Sequence, residues 1–227
     1  VTSSILVSPM KFYNAKDFEM NPTWDVQIHP WRDSFILHID NIYKNPDNVY
    51  EYLDSIGSIR THKTCPNSKN GIDFMDGQML LDNRWDQNRN HLLELIAKQY
   101  GVPVDTQNVA NTINQFRLIK DYPGMGNHWH PHVDGQINFI TFLNKNHHMK
   151  SGTSLYIPMN TKAKSFLINK NTEHSKPWRT EKYYQEELCI LDRYNCGIAF
   201  PGQWFHGQTI TDNFFKSQTR FTEVTFL

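Results

Sequence analysis

Several features that would indicate a membrane, nucleic-acid or secreted protein are missing from this 227-residue chain. The 23 basic side chains balance the 23 acidic ones, so no excess of positive charge favours a nucleic acid or an anionic membrane as partner. No apolar run reaches the roughly 18 residues that a membrane-spanning helix needs, and the N-terminus shows no signal-peptide pattern. We therefore expect neither a nucleic-acid partner nor a membrane partner.

Cysteine is also scarce. The chain has three cysteines, Cys65, Cys189 and Cys196, and they form no Cys-x-x-Cys pair. An odd number without metal-binding spacing favours free thiols that behave as small core hydrophobes. We therefore expect a reducing, cytoplasmic location. Internal repeats are absent too.

Helical patterns are confined to the first half of the chain. Asn45-Pro46-Asp47 is typical of a helix start, and the apolar spacing predicts a helix to about Ile56 that stops at Gly57. A second helix is predicted over Asn88–Tyr100, with Gly101 as its stop. Before both helices, the run FILHIDN alternates as a strand does.

The second half is mostly strand-like. A strand is predicted over Asn114–Tyr122, followed by short β-branched or aromatic runs separated by turns. The length suits one domain over residues 1–227, with 1–114 as a helical and strand support region and 115–227 as the core. This order predicts an α+β, mainly β fold in which the N-terminal helices pack on one sheet of an antiparallel sandwich. The oligomeric state is left open.

A possible metal site lies in the stretch YPGMGNHWHPHVDGQINFITF. His132 and Asp134 are two residues apart, so on a strand both side chains point to the same face. His206, in FPGQWFH, follows another apolar run and is the candidate for a third ligand. Two histidines and one carboxylate with open positions are typical of non-haem Fe(II) oxygenases.

Neighbouring histidines allow another interpretation. His130 and His132 fit half of a cupin-type metal pattern, since Gly124 precedes them at a suitable distance. Such a site would need a glutamate shortly afterwards, and Gln136 stands there instead. His128 and His130 are thus either contacts at the rim of the pocket or solvated loop histidines.

Arg220 lies in the apolar terminal run RFTEVTFL. A buried guanidinium needs an anionic partner, and a dicarboxylate cosubstrate would supply one through bidentate hydrogen bonds. Thr222, two residues on, shares that strand face and would add a hydroxyl hydrogen bond.

These motifs together resemble the iron- and 2-oxoglutarate-dependent dioxygenases, especially the prolyl-hydroxylase-like branch. The resemblance covers about residues 115–227. The segments that carry it are Tyr122-Pro123-Gly124 through His132-Val133-Asp134, Thr141-Phe142-Leu143-Asn144, Gly152-Thr153-Ser154-Leu155, FPGQWFH and RFTEVTF.

The resemblance implies a double-stranded β-helix, which is a jelly-roll or cupin-like barrel. It implies Fe(II) bound by His132, Asp134 and His206, with 2-oxoglutarate and O₂ as cosubstrates. Arg220 would pair with the distal carboxylate of 2-oxoglutarate, and Tyr122 would reach the cosubstrate or the substrate. The reaction would be hydroxylation of an unidentified small-molecule or peptidyl substrate.

Two departures from the family pattern leave alternatives open. Phe142 stands where the branch often has a tyrosine that bonds the distal carboxylate, and the spacing from His206 to Arg220 is longer than usual. A cupin-like metal enzyme that does not use 2-oxoglutarate is one alternative. A barrel that binds a ligand or partner without catalysis is the other.

The polar segment 160–187 separates two predicted strands and contains both aromatic and basic residues. Long insertions of this kind are often functional. We hypothesise that it closes over the substrate as a flap and excludes water from the reaction.

Overall fold

The computed structural model describes residues 13–59, 72–76, 87–103, 113–119, 131–145, 151–159, 184–209 and 220–227. The helices found there are α1 (Pro46–Ile59) and α2 (Gln87–Gln99). The strands are β1 (Asp25–Trp31), β2 (Ser34–Asp40), β3 (Ile72–Asp76), β4 (Ile113–Ile119), β5 (Ile137–Phe142), β6 (Gly152–Pro158), β7 (Tyr184–Leu191), β8 (Cys196–Pro201), β9 (His206–Thr209) and β10 (Arg220–Phe226).

The strands form two antiparallel sheets over the described part of the chain. The larger has the order β1-β2-β8-β5-β10-β4-β3, and the smaller has the order β7-β6-β9. The predicted α+β, mainly β class is therefore confirmed. Strands β1, β2 and β3 come from the first half of the chain and belong to the larger sheet. The domain division itself stays a prediction.

One face of the larger sheet packs against the helices. Leu53 of α1 and Leu92 of α2 share an apolar cluster with sheet residues such as Phe139 and Phe221. Burying a large apolar side chain in this way contributes about 1.5–3 kcal/mol. The predicted packing of both helices on one sheet is observed.

The other face of the larger sheet meets the smaller sheet. Ile140 and Phe142 of β5 and Val224 of β10 pack with Leu155 of β6 in a second apolar cluster. We call the space around this cluster the barrel interior. Strand β5 is buried at every residue because helices cover one of its faces and the smaller sheet covers the other.

A buried polar network joins the helical layer to β10. Arg89 of α2 forms an ion pair with Glu223 and donates a hydrogen bond to the hydroxyl of Tyr43 over 3.0 Å. That hydroxyl donates in turn to Glu223. All three residues are at most 2% exposed. Removing one partner of such a buried pair costs about 3–5 kcal/mol, so the network fixes β10, which carries Arg220.

Three sequence predictions need adjustment. Helix α1 does not stop at Gly57 but continues to Ile59, because a glycine weakens a helix without having to end it. Strand β4 already includes Ile113, one residue before the predicted start, and the predicted part after Ile119 lies outside the described residues. The tail of the proposed 160–187 insertion, from Tyr184, already belongs to β7. The rest of that insertion lies outside the described residues, as do Tyr122, His128 and His130.

Candidate metal centre

The predicted histidine–aspartate pair lies just before β5. His132 forms an isolated antiparallel bridge with His206, and the two backbones exchange hydrogen bonds of 2.9 Å in both directions. The backbone N–H of Asp134 donates to the carbonyl of Gly202 over 2.9 Å. The segment that contains the pair is thus joined at two points to the segment that contains the third residue.

Gly202 allows this close approach. A Cβ atom at this position would stand 2.4 Å from the carbonyl oxygen of Gly135, which is nearer than real contacts allow. Its N–H donates to the carbonyl of Gln136 over 2.8 Å. The glycine of the FPGQWFH motif therefore lets the turn press against the segment that carries Asp134.

His206 is held in one tautomer. Its Nδ1 lies 2.9 Å from the carbonyl oxygen of Trp204, a group that can only accept. Nδ1 therefore carries the proton, and Nε2 keeps its lone pair for a ligand role. The ring is 4% exposed and contacts Phe200 edge-on, with 5.0 Å between the ring centroids.

The three predicted ligand atoms converge. Oδ2 of Asp134 lies 3.1 Å from Nε2 of His132 and 3.3 Å from Nε2 of His206. Two ligands on adjacent metal bonds of about 2.1–2.2 Å at right angles would stand about 3.0–3.1 Å apart. The donor set and the spacing therefore fit one divalent ion with two histidines and one carboxylate on the same side.

The charges also suit a cation. Burial alone would raise the pKa of Asp134, but the contacts with His132 and His206 outweigh it and hold that pKa well below its usual range. Burial, followed by repulsion from His132, lowers the pKa of His206. At neutral pH the aspartate is therefore ionised and the buried histidine is neutral, as metal ligation requires.

Arg220 and Thr222 face the barrel interior. They share the strand face of Val224 and are 3% and 2% exposed. The guanidinium carbon of Arg220 lies 5.7 Å from the centroid of the Phe142 ring, and Nη2 donates to the carbonyl of Gly152 over 3.1 Å. The predicted burial of this arginine is thus observed.

Arg220 also has an anionic neighbour within the protein. Oδ2 of Asp192 lies 3.7 Å from Nε of Arg220 and accepts a hydrogen bond from the hydroxyl of Ser151 over 2.7 Å. The protein itself thus supplies one carboxylate close to the guanidinium. A guanidinium has five N–H donors, which are enough for Asp192 and a second carboxylate.

A second group of potential ligands lies on β2 and β8. It consists of His38, Asp40 and Cys196, of which the first two form another His-x-Asp pair. Nε2 of His38 lies 2.6 Å from Sγ of Cys196, although two ligands of one tetrahedral ion would stand about 3.5 Å apart. Asp40 already forms an ion pair with Arg193.

A cleft of about 780 Å³ opens beside this second group, between β1–β2 and β7. His38 and Arg193 line it, together with Trp31 and Ile190. The cleft also reaches Asp192, the partner of Arg220. None of the three residues of the candidate metal centre lines it.

Sequence reasoning missed two polar residues of the interior, Asn138 and Asp192. Asn138 stands four residues after Asp134 on β5, with Nδ2 3.1 Å from Nε2 of His206. A polar residue within the apolar run INFITF was the available signal. No comparable signal marks Asp192, because its partner is remote in sequence.

Comparisons with known proteins were made by sequence and by structure. No protein-family model matches the chain, and neither does any curated protein sequence. In all, 41 chains of solved structures match.

One of them is the epimerase SnoN in complex with Fe³⁺, alpha ketoglutarate and nogalamycin RO, at 10% identity and a TM-score of 0.47, with 84% of this chain and 77% of SnoN covered. A prolyl-4-hydroxylase of Pseudomonas putida is 11% identical, with a TM-score of 0.39, and the match covers 85% of this chain and 86% of the hydroxylase. AviO1 from Streptomyces viridochromogenes Tue57 has a TM-score of 0.34 at 11% identity, with 67% and 64% covered. Two of these neighbours, the SnoN complex and the prolyl-4-hydroxylase, are of the kind that the sequence resemblance leads us to expect. All three TM-scores lie below 0.5, so the proposed function depends on the site.

Two further expectations concern location. None of the described helices has the length and apolar character needed to span a bilayer. Cys189 and Cys196 are free thiols, and Cys65 lies outside the described residues. The cytoplasmic location stays a prediction.

Proposed function

We propose that the protein is a non-haem Fe(II)- and 2-oxoglutarate-dependent dioxygenase that hydroxylates a small-molecule or peptidyl substrate. The observation that carries the proposal is the convergence of His132, Asp134 and His206 at spacings that suit one ion. The two sheets would then form the double-stranded β-helix expected from the sequence, with residues 1–227 as one domain.

Each ligand side chain has a distinct task. His206 is the buried ligand of the site, and the carbonyl of Trp204 fixes its tautomer. The side chains of His132 and Asp134 are 38% and 27% exposed, so a substrate would approach the ion from their side. Bound Fe(II), with 2-oxoglutarate and O₂, would supply oxidation of a C–H bond coupled to decarboxylation of 2-oxoglutarate to succinate.

The cosubstrate would lie in the barrel interior. We propose that Arg220 donates to its distal carboxylate and that Thr222 adds a hydroxyl hydrogen bond, with Tyr122 contacting the cosubstrate or the substrate from outside the described residues. Asp192 would then keep the guanidinium charge balanced while the cosubstrate is absent. The segment 160–187 would act as the flap.

A second candidate is a metal enzyme of the same fold that does not use 2-oxoglutarate. The contact between Arg220 and Asp192 favours it, because a guanidinium already neutralised needs no cosubstrate. Phe142, which cannot bond a carboxylate, favours it too.

Anaerobic titration with Fe(II), with and without 2-oxoglutarate, tests the proposal. We expect a weak visible charge-transfer band that needs both components and disappears on exposure to O₂. A band that forms without 2-oxoglutarate, or no response to it, would support the second candidate. Failure to bind Fe(II) at all would leave a non-catalytic barrel.

The role of Arg220 is tested with a charge-balanced variant. Arg220→Gln alone leaves Asp192 buried without its partner, so the double variant Arg220→Gln/Asp192→Asn is the better probe. We expect Fe(II) binding to persist and the affinity for 2-oxoglutarate to fall by roughly a hundredfold or more, as for a lost buried charge pair. The Asp192→Asn variant serves as the control, and it should retain 2-oxoglutarate binding.

A further inference from the structure

Asn138 is a buried amide in an apolar part of the barrel interior. It is 0% exposed and shares the face of β5 that carries Ile140 and Phe142. Its neighbours across the sheet are Phe200 and Phe226. Packing alone would favour a branched apolar residue at this position, so the amide calls for an explanation.

One end of the amide contacts a predicted metal ligand. Nδ2 of Asn138 lies 3.1 Å from Nε2 of His206. The same Nδ2 lies 3.5 Å from Nδ1 of that ring, so the amide nitrogen stands over the face of the imidazole and not on the lone pair of Nε2. An ion bound along that lone pair would therefore not displace Asn138, and the amide would stand beside it.

The other end has no partner. Oδ1 of Asn138 is buried and accepts no hydrogen bond within the described part of the chain. A buried carbonyl left in this state is unfavourable, because it has lost its hydrogen bonds to water without replacement. A ligand held by an ion at Nε2 of His206 would give both ends of the amide a partner.

We propose that Asn138 is a positioning residue that hydrogen bonds to an oxygen-donor ligand beside His206 at the metal. The proposal rests on the metal site proposed above. A metal–nitrogen bond is about 2.1 Å, so an amide 3.1 Å from the ligating nitrogen lies beside the neighbouring coordination position. The chemistry that suits an amide donor and acceptor side by side is a water molecule or a carboxylate oxygen.

The test compares wild type with Asn138→Leu, which keeps the number and branching of the side-chain heavy atoms. Anaerobic Co(II) titration, followed by its visible absorption, measures metal affinity without turnover. We expect the Co(II) affinity of the variant to be about that of wild type, because the amide does not stand where the ion would bind to His206. The affinity of the Co(II) protein for its oxygen ligands should fall about three- to tenfold, the effect of one or two hydrogen bonds.

Two arms distinguish the oxygen donors. Acetate tests a carboxylate, and 2-oxoglutarate tests a chelating cosubstrate. Weakening in either arm identifies a carboxylate partner. If neither arm changes, a water partner is shown by an altered Co(II) spectrum before any ligand is added.

Thr141→Val is the matched control. Thr141 lies on the same strand, is fully buried, and has a hydroxyl with no hydrogen-bond partner within the described residues, but it faces away from the interior. This shape-conserving change should leave both affinities unaltered. Asn138→Asp is the second variant, and it should tighten Co(II) binding at least tenfold because it adds a carboxylate beside the ion.

Several outcomes would overturn the proposal. Lower Co(II) affinity in Asn138→Leu would mean that the amide only orients His206. Unchanged affinities and an unchanged spectrum, with no tightening in Asn138→Asp, would mean that it meets no ligand. If wild type itself binds no Co(II), the proposed function fails and this inference fails with it.

Discussion

The protein contains two His-x-Asp pairs, and each meets a third potential ligand from a distant strand. His132 and Asp134 meet His206, whereas His38 and Asp40 meet Cys196. Both groups place their ligand atoms within 4.8 Å of one another. The distances between potential ligand atoms therefore do not by themselves distinguish a metal centre from an ordinary polar cluster.

The two groups differ in the charged side chains that contact their carboxylates. Within the described part of the chain, Asp134 forms no ion pair with a lysine or arginine, and it contacts the two histidines of its own group. Asp40 is paired with Arg193, and this contact outweighs burial and lowers the pKa of Asp40. Burial, followed by the charge of Asp40, raises the pKa of Cys196 to about 12, so the thiol stays protonated. Since a metal needs thiolate rather than thiol, we expect the second group to bind poorly.

The largest expected effect comes from deleting one histidine of each group. His206→Ala should lower Fe(II) or Co(II) affinity by more than about a hundredfold, because loss of an outer partner alone can cost that much. The matched variant His38→Ala should leave the stoichiometry of one ion per chain unchanged. Titration of both variants checks this, and equal losses would erase the distinction between the two groups.

The carboxylates give the next largest difference. Asp134→Asn keeps the shape but removes the negative charge, so metal affinity should fall at least about tenfold, or 1.4 kcal/mol. Asp40→Asn should not change metal binding. It should cost less than about 1 kcal/mol in the free energy of unfolding, because the pair it breaks is partly exposed. Denaturant unfolding and metal titration of each variant measure the two quantities.

The variant Arg193→Gln tests whether Arg193 prevents metal binding at the second group. It removes a positive charge that pairs with Asp40 and repels a cation. Co(II) affinity at the second group should therefore increase by roughly tenfold, the effect of one repulsive charge at a partly exposed site. A thiolate-to-cobalt absorption band would identify Cys196 as the ligand. If no second ion binds even at high Co(II), the close contact of His38 with Cys196, rather than charge, is what prevents binding.

The smallest effect concerns the ionisation of Cys196. Because its pKa lies near 12 and its side chain is buried, this thiol should not ionise in the folded protein between pH 7 and 10. In the denatured protein it should ionise around the ordinary thiol pKa of 9.0. The ultraviolet thiolate absorbance that is lost in Cys196→Ser measures both. Ionisation of this thiol near pH 9 in the folded protein would contradict the raised pKa.

The sequence by itself determined the secondary-structure class, the approximate helices and the three residues that converge before β5 and at β9. These follow from local rules, namely periodicity, helix stops, and the same-side projection of residues two apart. Only the tertiary structure decided which distant side chains each of these residues contacts. Asp192 meets Arg220, Asn138 meets His206, and Arg193 neutralises Asp40, all through contacts between segments that no local pattern connects. The two His-x-Asp pairs look alike in the sequence, and they differ because the charge of a carboxylate depends on which distant side chain the fold brings beside it.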